Sequence, residues 1–473
     1  MRSCFLTRLA LISTLLFAPA LQAMDDVPNS QDSAPRNVIL IIGDGMDDQQ
    51  VTIARNYLHG ARGQFTLDTM PERGAMQILA VEDSTDNTPV YVSDSANTAT
   101  SMATGVVTSR GRIATTAGDD QDIPTIGELA RDAGYRVGLV TTSSVTDATP
   151  ASFIAHVALR FCESPATMID IEYSGIPLGD CSQDLKANGG PGSISEQLAT
   201  SGLHVILGGG ARHFEPPTEA GNMSVLELAV DNGFTALLDG SDLATASPDA
   251  RLLGLFAPSH LPVRMRGENG REAESPEPSL LNEVHPYLGE VDLPAVMNCE
   301  ANPEYGETPS LKALTQTALR NLDHENARGF FLMIESASID KEAHERKPCG
   351  SIGEMGQLDE ALEAALAYAD AQGNTLVLVT ADHAQAAQIT PNGSLFSAYP
   401  IPIFSPGKIA RIRTPEGAIM VVNFATNNFP YAEHTGGQVP IYGNAVAADI
   451  LPTYLLQPDL FTLMRDFLEI PAQ

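Results

Sequence analysis

The segment Asn37-Val38-Ile39-Leu40-Ile41-Ile42 runs without a charged break and stops at Gly43-Asp44-Gly45. Neither face of such a strand can be left in water, so it belongs inside a parallel sheet. The pattern recurs. Arg136 to Thr142 reads as a strand, His204 to Leu207 runs into Gly208-Gly209-Gly210, Gly329 to Ile334 runs into Glu335, and Thr375 to Thr380 runs into Ala381-Asp382-His383. Helical patterns lie between them. Thr125 and Glu128 have capping-box spacing with Gly134 as the stop, and Leu358, Ala361, Leu362, Ala365, Leu366 and Ala369 mark one helical face. Strands alternating with helices predict an α/β fold: a large, mostly parallel β-sheet with helices on both faces, a three-layer sandwich. Residues from about 222 to 294 are richer in Pro, Gly and Glu and are read as variable surface and loops.

Ligands of open parallel sheets bind beyond the carboxyl ends of the strands. Asp44, Glu335, Asp382 and His383 all stand at such ends, so the predicted topology gathers carboxylates and an imidazole on one rim.

The 473 residues could hold two or three average domains, but a large α/β enzyme can use that length as one unit. Residues 1–23 read as a secretory leader: Arg2 and Arg8, an apolar stretch from Leu9 to Ala20, then small residues with cleavage after Ala20 or Ala23. That leaves 24–473 as a single catalytic domain in the periplasm or outside the cell. Beyond the leader no apolar run is long enough to span a membrane. Four cysteines remain after the leader, Cys162, Cys181, Cys299 and Cys349, which allow three disulfide pairings. Sequence order favours Cys162–Cys181 and Cys299–Cys349. No C-x-x-C spacing supports a zinc cluster.

Net charge is −32, and loss of the leader removes two arginines more. Nucleic acid and acidic membrane are excluded as partners on this balance. Lysine is confined to Lys186, Lys312, Lys341, Lys347 and Lys408. Acid excess with so little lysine fits a halophilic protein, in which salt screens self-repulsion; an ordinary acidic exported protein is the other reading.

Several short segments carry candidate chemistry. In Asp94-Ser95-Ala96-Asn97-Thr98, Ser95 falls in the first turn of a helix, where free N–H groups and the helix dipole favour phosphate; alone it would be only a cap. Asp340 and His344 are four apart and share a helical face, as metal ligands or as a surface pair. Asp382-His383 leaves a buried strand, Glu433-His434-Thr435-Gly436-Gly437 supplies another imidazole, and Asp147-Ala148-Thr149-Pro150 would alone be a turn or cap.

Taken together these segments resemble the alkaline phosphatases, most closely the bacterial periplasmic type, from Asn37 to about Leu468. The blocks that carry the resemblance are Gly43-Asp44-Gly45-Met46, Asp94-Ser95-Ala96, Asp147 to Pro150 with Arg160, Glu335 to His344, Thr380 to His383, and Glu433 to Gly436. The resemblance implies hydrolysis of phosphate monoesters at alkaline pH through a phosphoserine on Ser95, by a homodimer. It implies two zinc ions (Zn2+) and one magnesium ion (Mg2+) per subunit. Asp340, His344 and His434 would hold the first zinc, Asp44, Asp382 and His383 the second, and Asp44, Glu335 and Thr149 the magnesium. Arg160 would grip two phosphate oxygens, with Asp147 and Lys341 acting through water. Three divalent ions and Arg160 formally bring about +7 against about −5 from four carboxylates and ionised Ser95, so an acidic chain still presents a positive pocket.

Some positions depart from that pattern. Asp47 stands where the family often has Gly, and Gln385 where close relatives often have His. His156 matches a family position but is read as structural. His59, His204, His213, His260, His285 and His324 show no partner pattern and are read as surface or core. A phosphodiesterase of the same superfamily would usually have Thr as nucleophile and lack the magnesium trio. A sulfatase would need Pro and Arg where Asn97 and Ala99 stand. A catalytically silent metal-binding protein is the reading from another class, and the complete ligand set argues against it.

Overall fold

The computed structural model describes residues 35–173, 175–396, 399–402 and 407–472; the expected leader lies outside them. Ten strands form the central sheet: β1 (Asn37–Gly43), β2 (Glu72–Gln77), β3 (Arg136–Ser144), β4 (Val205–Gly209), β5 (Phe234–Leu237), β6 (Arg251–Leu255), β7 (Phe330–Ser336), β8 (Thr375–Ala381), β9 (Val439–Gly443) and β10 (Tyr454–Leu456). Their order is β10-β2-β9-β8-β1-β7-β3-β4-β6-β5. Every pairing is parallel except the two made by β9, which runs against β8 and β2. The apolar run 37–43 is therefore central, paired with β7 on one side and β8 on the other, and every residue in it is buried.

Successive residues of β7 point to opposite layers, as the two-residue period of a strand requires. Phe330 packs against Tyr368 of the long helix Pro348–Gln372, at 5.6 Å between ring centroids. Phe331 stacks on Phe153 at 5.8 Å, just beyond the helix Ala148–Ala151. One apolar core runs through the sheet and both layers.

Local signals behave as expected. Thr125 and Glu128 close a capping box on the helix Ile126–Asp132. Asp94 and Asn97 cap the helix Ser95–Thr104 reciprocally, and Gly105 ends it in the left-handed region at φ 76°. Both expected disulfides form, Cys162–Cys181 and Cys299–Cys349. Among the described residues no helix is long and apolar enough to cross a membrane.

One expectation is corrected. The stretch read as surface and loops, about 222–294, contains two helices, Val225–Asp231 and Leu280–Val284, the edge strand β5 and its inner neighbour β6. Both strands are short and lie between Pro- and Gly-rich turns, so composition concealed them. Asp47, the odd residue after the Gly43-Asp44-Gly45 turn, is the N-cap of the helix Asp48–Leu58 and accepts from the backbone of Gln49, Gln50 and Gln385.

Candidate active site

The rim at the carboxyl ends of β1, β7, β3 and β8 is where the ligand-type side chains meet. Gly45 turns the chain at φ 66°, with its Cα side packed against Asp340: a Cβ there would lie 3.1 Å from the Asp340 carboxylate. Only a residue free to adopt positive φ lets β1 end this way. The turn presents Asp44, which is 1 % exposed. Asp382 is fixed by donors from Gly45 N (3.0 Å) and His383 N (2.9 Å).

Ser95 stands in the first turn of its helix. Its Oγ lies 3.2 Å from His383 Nε2 and 3.3 Å from Asp44 Oδ1. His383 Nε2 is also 3.3 Å from Asp44 and 3.4 Å from Asp382. The opposite ring nitrogen, Nδ1, meets the Ala384 carbonyl at 3.3 Å. A carbonyl can only accept, so Nδ1 carries the proton and Nε2 turns a lone pair toward two carboxylates.

The same arrangement occurs a few ångströms away. His434 Nδ1 donates to Ser93 O at 2.7 Å and His344 Nδ1 donates to Ala432 O. Their Nε2 atoms face each other at 2.9 Å and lie 3.3 and 3.2 Å from Asp340. Two lone pairs and a carboxylate converging in a buried place repel one another unless a cation sits among them. Positive charge is favoured at this place: although burial opposes it, Asp340 raises the His434 imidazole to about 9. The donor set of nitrogen and carboxylate oxygen suits zinc. Asp340, His383 and His434, and likewise Asp44, Asp382 and His383, bring their donor atoms within 4.8 Å of one another. The His383 and His434 rings stack at 3.7 Å, so the two groups adjoin.

Behind Asp44 lies a third group. Glu335, at the end of β7, bonds Thr141 and, at 3.1 Å, Ser143. Burial, with Asp147 nearby, pushes its carboxyl up to about 7. Thr149 Oγ1 is close enough to stabilise the ionised form, yet this buried hydroxyl has no partner in hydrogen-bonding geometry. Burial and then the Asp382 and Asp340 charges raise Asp44 well above the usual carboxylate range. An all-oxygen set with an unsatisfied hydroxyl suits a hard cation such as magnesium.

Arg160 is held in place by two carboxylates. It donates to Asp147 at 3.0 Å and lies 3.4 Å from Asp94. Lys341 Nζ reaches the other Asp147 oxygen at 2.6 Å. Burial alone would raise Asp147, but Lys341 and Arg160 outweigh it and hold its carboxyl well below the usual range.

All twelve residues singled out in the sequence thus converge on one rim: Ser95, Arg160, Asp147, Lys341, Asp44, Thr149, Glu335, Asp340, His344, Asp382, His383 and His434. Gln385 donates to Asp340 at 2.5 Å, a hydrogen bond that needs an N–H donor but not an imidazole. His156 is structural as expected, spanning Ala114 O at 3.0 Å and Glu128 at 3.1 Å.

Three neighbours escaped the sequence reading. Asp94 braces Arg160; its place beside Ser95 was the available signal. His260 accepts from Ser144 N at 3.1 Å and lies 3.9 Å from Asp147. Arg346, 1 % exposed, donates to Pro430 O at 2.7 Å and to Asn427 O and Oδ1 at 3.3 and 3.0 Å. It ties the end of the helix Ser338–His344 to the loop that delivers His434. No motif marks either residue.

The alkaline phosphatase family model matches residues 35–408. Alkaline phosphatase of Escherichia coli K12 is 37% identical over 442 residues, covering 92% of this chain and 86% of that protein. Streptomycin-6-phosphate phosphatase of Streptomyces griseus is 39% identical over 448 residues, covering 92% and 90%. Among solved structures, alkaline phosphatase from the Antarctic bacterium TAB5 aligns with a TM-score of 0.63 at 22% identity, over 93% of this chain and 99% of that one, a likeness of fold. A family match over most of the chain, close relatives over nearly its whole length and a shared fold lead to one conclusion: this chain belongs to the alkaline phosphatase family and is a phosphomonoesterase.

Proposed function

We propose that the chain hydrolyses phosphate monoesters through a covalent phosphoserine on Ser95, in a site that holds two zinc ions and one magnesium ion. Asp340, His344 and His434 would hold one zinc, Asp44, Asp382 and His383 the other, and Asp44, Glu335 and Thr149 the magnesium. When bound, these ions supply positive charge for a dianionic ester and make the serine and water hydroxyls more acidic. The observation that carries the reading is Ser95 Oγ, 3.2 and 3.3 Å from His383 and Asp44, with Arg160 braced nearby by Asp94 and Asp147.

The chain's own residues then have distinct tasks. The Arg160 guanidinium binds two phosphate oxygens, and Asp147 with Asp94 keeps its plane fixed so that little freedom is lost on binding. The first turn of the helix Ser95–Thr104 adds N–H groups and dipole. Ser95 gives its proton to water as Oγ attacks phosphorus; the P–Oγ bond forms, the ester P–O bond breaks, and the leaving alkoxide takes a proton back from water. A water oxygen then attacks phosphorus, P–Oγ breaks, one water proton goes to Ser95 Oγ and the other stays on the released hydrogen phosphate. Lys341 and Asp147 orient water and phosphate.

We further take residues 1–23 as an export leader, 24–473 as one catalytic domain acting in the periplasm or outside the cell, and the active form as a homodimer. The acid excess is read as salt adaptation; a melting temperature unmoved by sodium chloride would remove that idea. The main test is hydrolysis of a chromogenic monoester and a diester, each with and without chelator, alongside metal analysis. Chelator-sensitive, monoester-selective turnover at alkaline pH with zinc and magnesium bound is expected. Absence of chelator-sensitive turnover would overturn the reading.

A further inference from the structure

Beside the turn that delivers Asp147 lies a carboxyl with no task in the mechanism above. Glu163 follows Arg160 by three residues and stands next to Cys162, whose disulfide to Cys181 fixes the backbone there. Its side chain is 18 % exposed and accepts from Thr146 Oγ1 at 2.6 Å. Thr146 immediately precedes Asp147. Its hydroxyl also meets Ser144 Oγ at 2.7 Å, and Asp147 N donates to Ser144 O at 3.0 Å. Glu163 is thus one end of the hydrogen-bond network that shapes this turn, and Asp147 at the other end holds Arg160 at 3.0 Å.

On its far side Glu163 meets an imidazole. Arg212 Nε donates to His213 Nε2 at 2.9 Å, so that nitrogen presents a lone pair and no proton. Glu163 Oε2 lies 3.2 Å from the same nitrogen. An ionised carboxylate sets its own lone pair against that of the imidazole; a neutral carboxyl can turn its proton toward it. The other charges that face Glu163 are Asp147, Arg212 and Arg160. The helix Ile194–Thr200 packs here through Ser195 N, which donates to Glu163 O at 3.0 Å. Its one charged residue, Glu196, is paired with Lys186 at 3.1 Å. Burial and then the Asp147 charge push the Glu163 carboxyl up to about 7, against the pull of Thr146, Arg212 and Arg160.

We propose that Glu163 is a positioning residue of the phosphate clamp: it shapes the Asp147 turn through Thr146 and, once ionised, weakens the hold of Arg160 on phosphate by adding a carboxylate charge to those already around it. The neutral form binds phosphate more tightly, so affinity for phosphate falls as pH rises through the titration of Glu163, and product leaves more readily. The inference rests on the phosphomonoesterase site described above and adds a residue that adjusts its grip on phosphate.

The test is inhibition of monoester hydrolysis by inorganic phosphate, on metal-loaded wild type and Glu163→Gln, from pH 6 to pH 9.5. Glutamine stands in for the neutral carboxyl, and its N–H can face His213 Nε2. Taking the ratio of the two inhibition constants cancels the pH effects of groups common to both enzymes. That ratio is expected near one at pH 6 and about tenfold at pH 9.5, with wild type the weaker binder, for one added charge near a bound dianion. A merely structural role would change the ratio by the same factor at every pH, so a pH-independent ratio overturns the proposal. If Glu163→Gln does not fold, Thr146→Val takes its place. Losing a hydrogen bond that favours the ionised carboxyl should move the fall in phosphate affinity to higher pH, and an unmoved profile overturns the proposal. Normal turnover with either of those results sinks this proposal alone; a wild type that hydrolyses no monoester would overturn the phosphatase reading, and this one with it.

Discussion

Arg346→Met tests whether the His434 loop is held in place by a residue that no motif marks. The methionine keeps most of the buried volume and removes three hydrogen bonds, to Pro430 O and to Asn427 O and Oδ1. Bonds from a charged donor contribute about 1.5–3 kcal/mol each, but the guanidinium is desolvated and its bonded acceptors are all neutral, with Glu272 the carboxylate acting on it from further off, which offsets part of that. A net of about 1 kcal/mol per bond leaves about 3 kcal/mol for holding the loop. The backbone bond from Ala432 N to His344 O, 2.8 Å, survives the substitution, so the loop loosens and does not detach. Loosening His434 by no more than that amount should weaken zinc binding by at least about tenfold and at most about 150-fold. Competition with a chelator of known affinity reads this directly, and hydrogen exchange over residues 427–432 reads the loosening independently. Arg346→Lys, which keeps the charge but not the fork, should fall in between. Zinc affinity within about twofold of wild type, with unchanged exchange in the loop, would refute the reasoning.

Removing zinc and magnesium by chelation should lower the melting temperature, because it leaves Asp44, Glu335, Asp340 and Asp382, all 4 % exposed or less, to repel one another; a melting curve unchanged by chelation would contradict the ligand assignment. Replacing both cysteines of one disulfide by alanine should cost about 3 kcal/mol for the 19-residue closure and about 4 for the 50-residue one, read by denaturant titration in the order Cys299–Cys349 above Cys162–Cys181. His156 is raised because Glu128 outweighs the burial that opposes its charge. The pair's contribution is therefore complete below the ordinary imidazole value and is lost as pH rises through the elevated folded one. His156→Gln should flatten that decline, and a wild-type profile with the same slope as the variant would contradict it.

How far the sequence could be read follows from where each signal resides. The apolar runs that became β1, β3, β7 and β8 were legible because strands buried on both faces leave no polar alternation, and at the ends of β1, β7 and β8 stand Asp44, Glu335 and Asp382. β2, Glu-Arg-Gly-Ala-Met-Gln, is half-exposed and breaks that pattern, and β5 and β6 are short pieces in a turn-rich stretch. Their place comes from pairing with neighbours distant in sequence. The site was legible wherever spacing encodes geometry, as for Asp340 and His344, or where resemblance supplied it, as for Thr149. Arg346 and His260 were not, because their partners, carbonyls of 427–430 and the amide of Ser144, are defined only by the fold. Gln385 and Asp47 looked like departures and turn out to be a donor to Asp340 and a helix cap.

The most direct test of the central claim is to mix the enzyme with a phosphate monoester, quench in acid, and map the phosphorylated peptide by mass spectrometry. A single phosphoryl group on Ser95, absent from Ser95→Ala together with most turnover, is the predicted result. A phosphoryl group on another residue, or labelling that persists in Ser95→Ala, would contradict it.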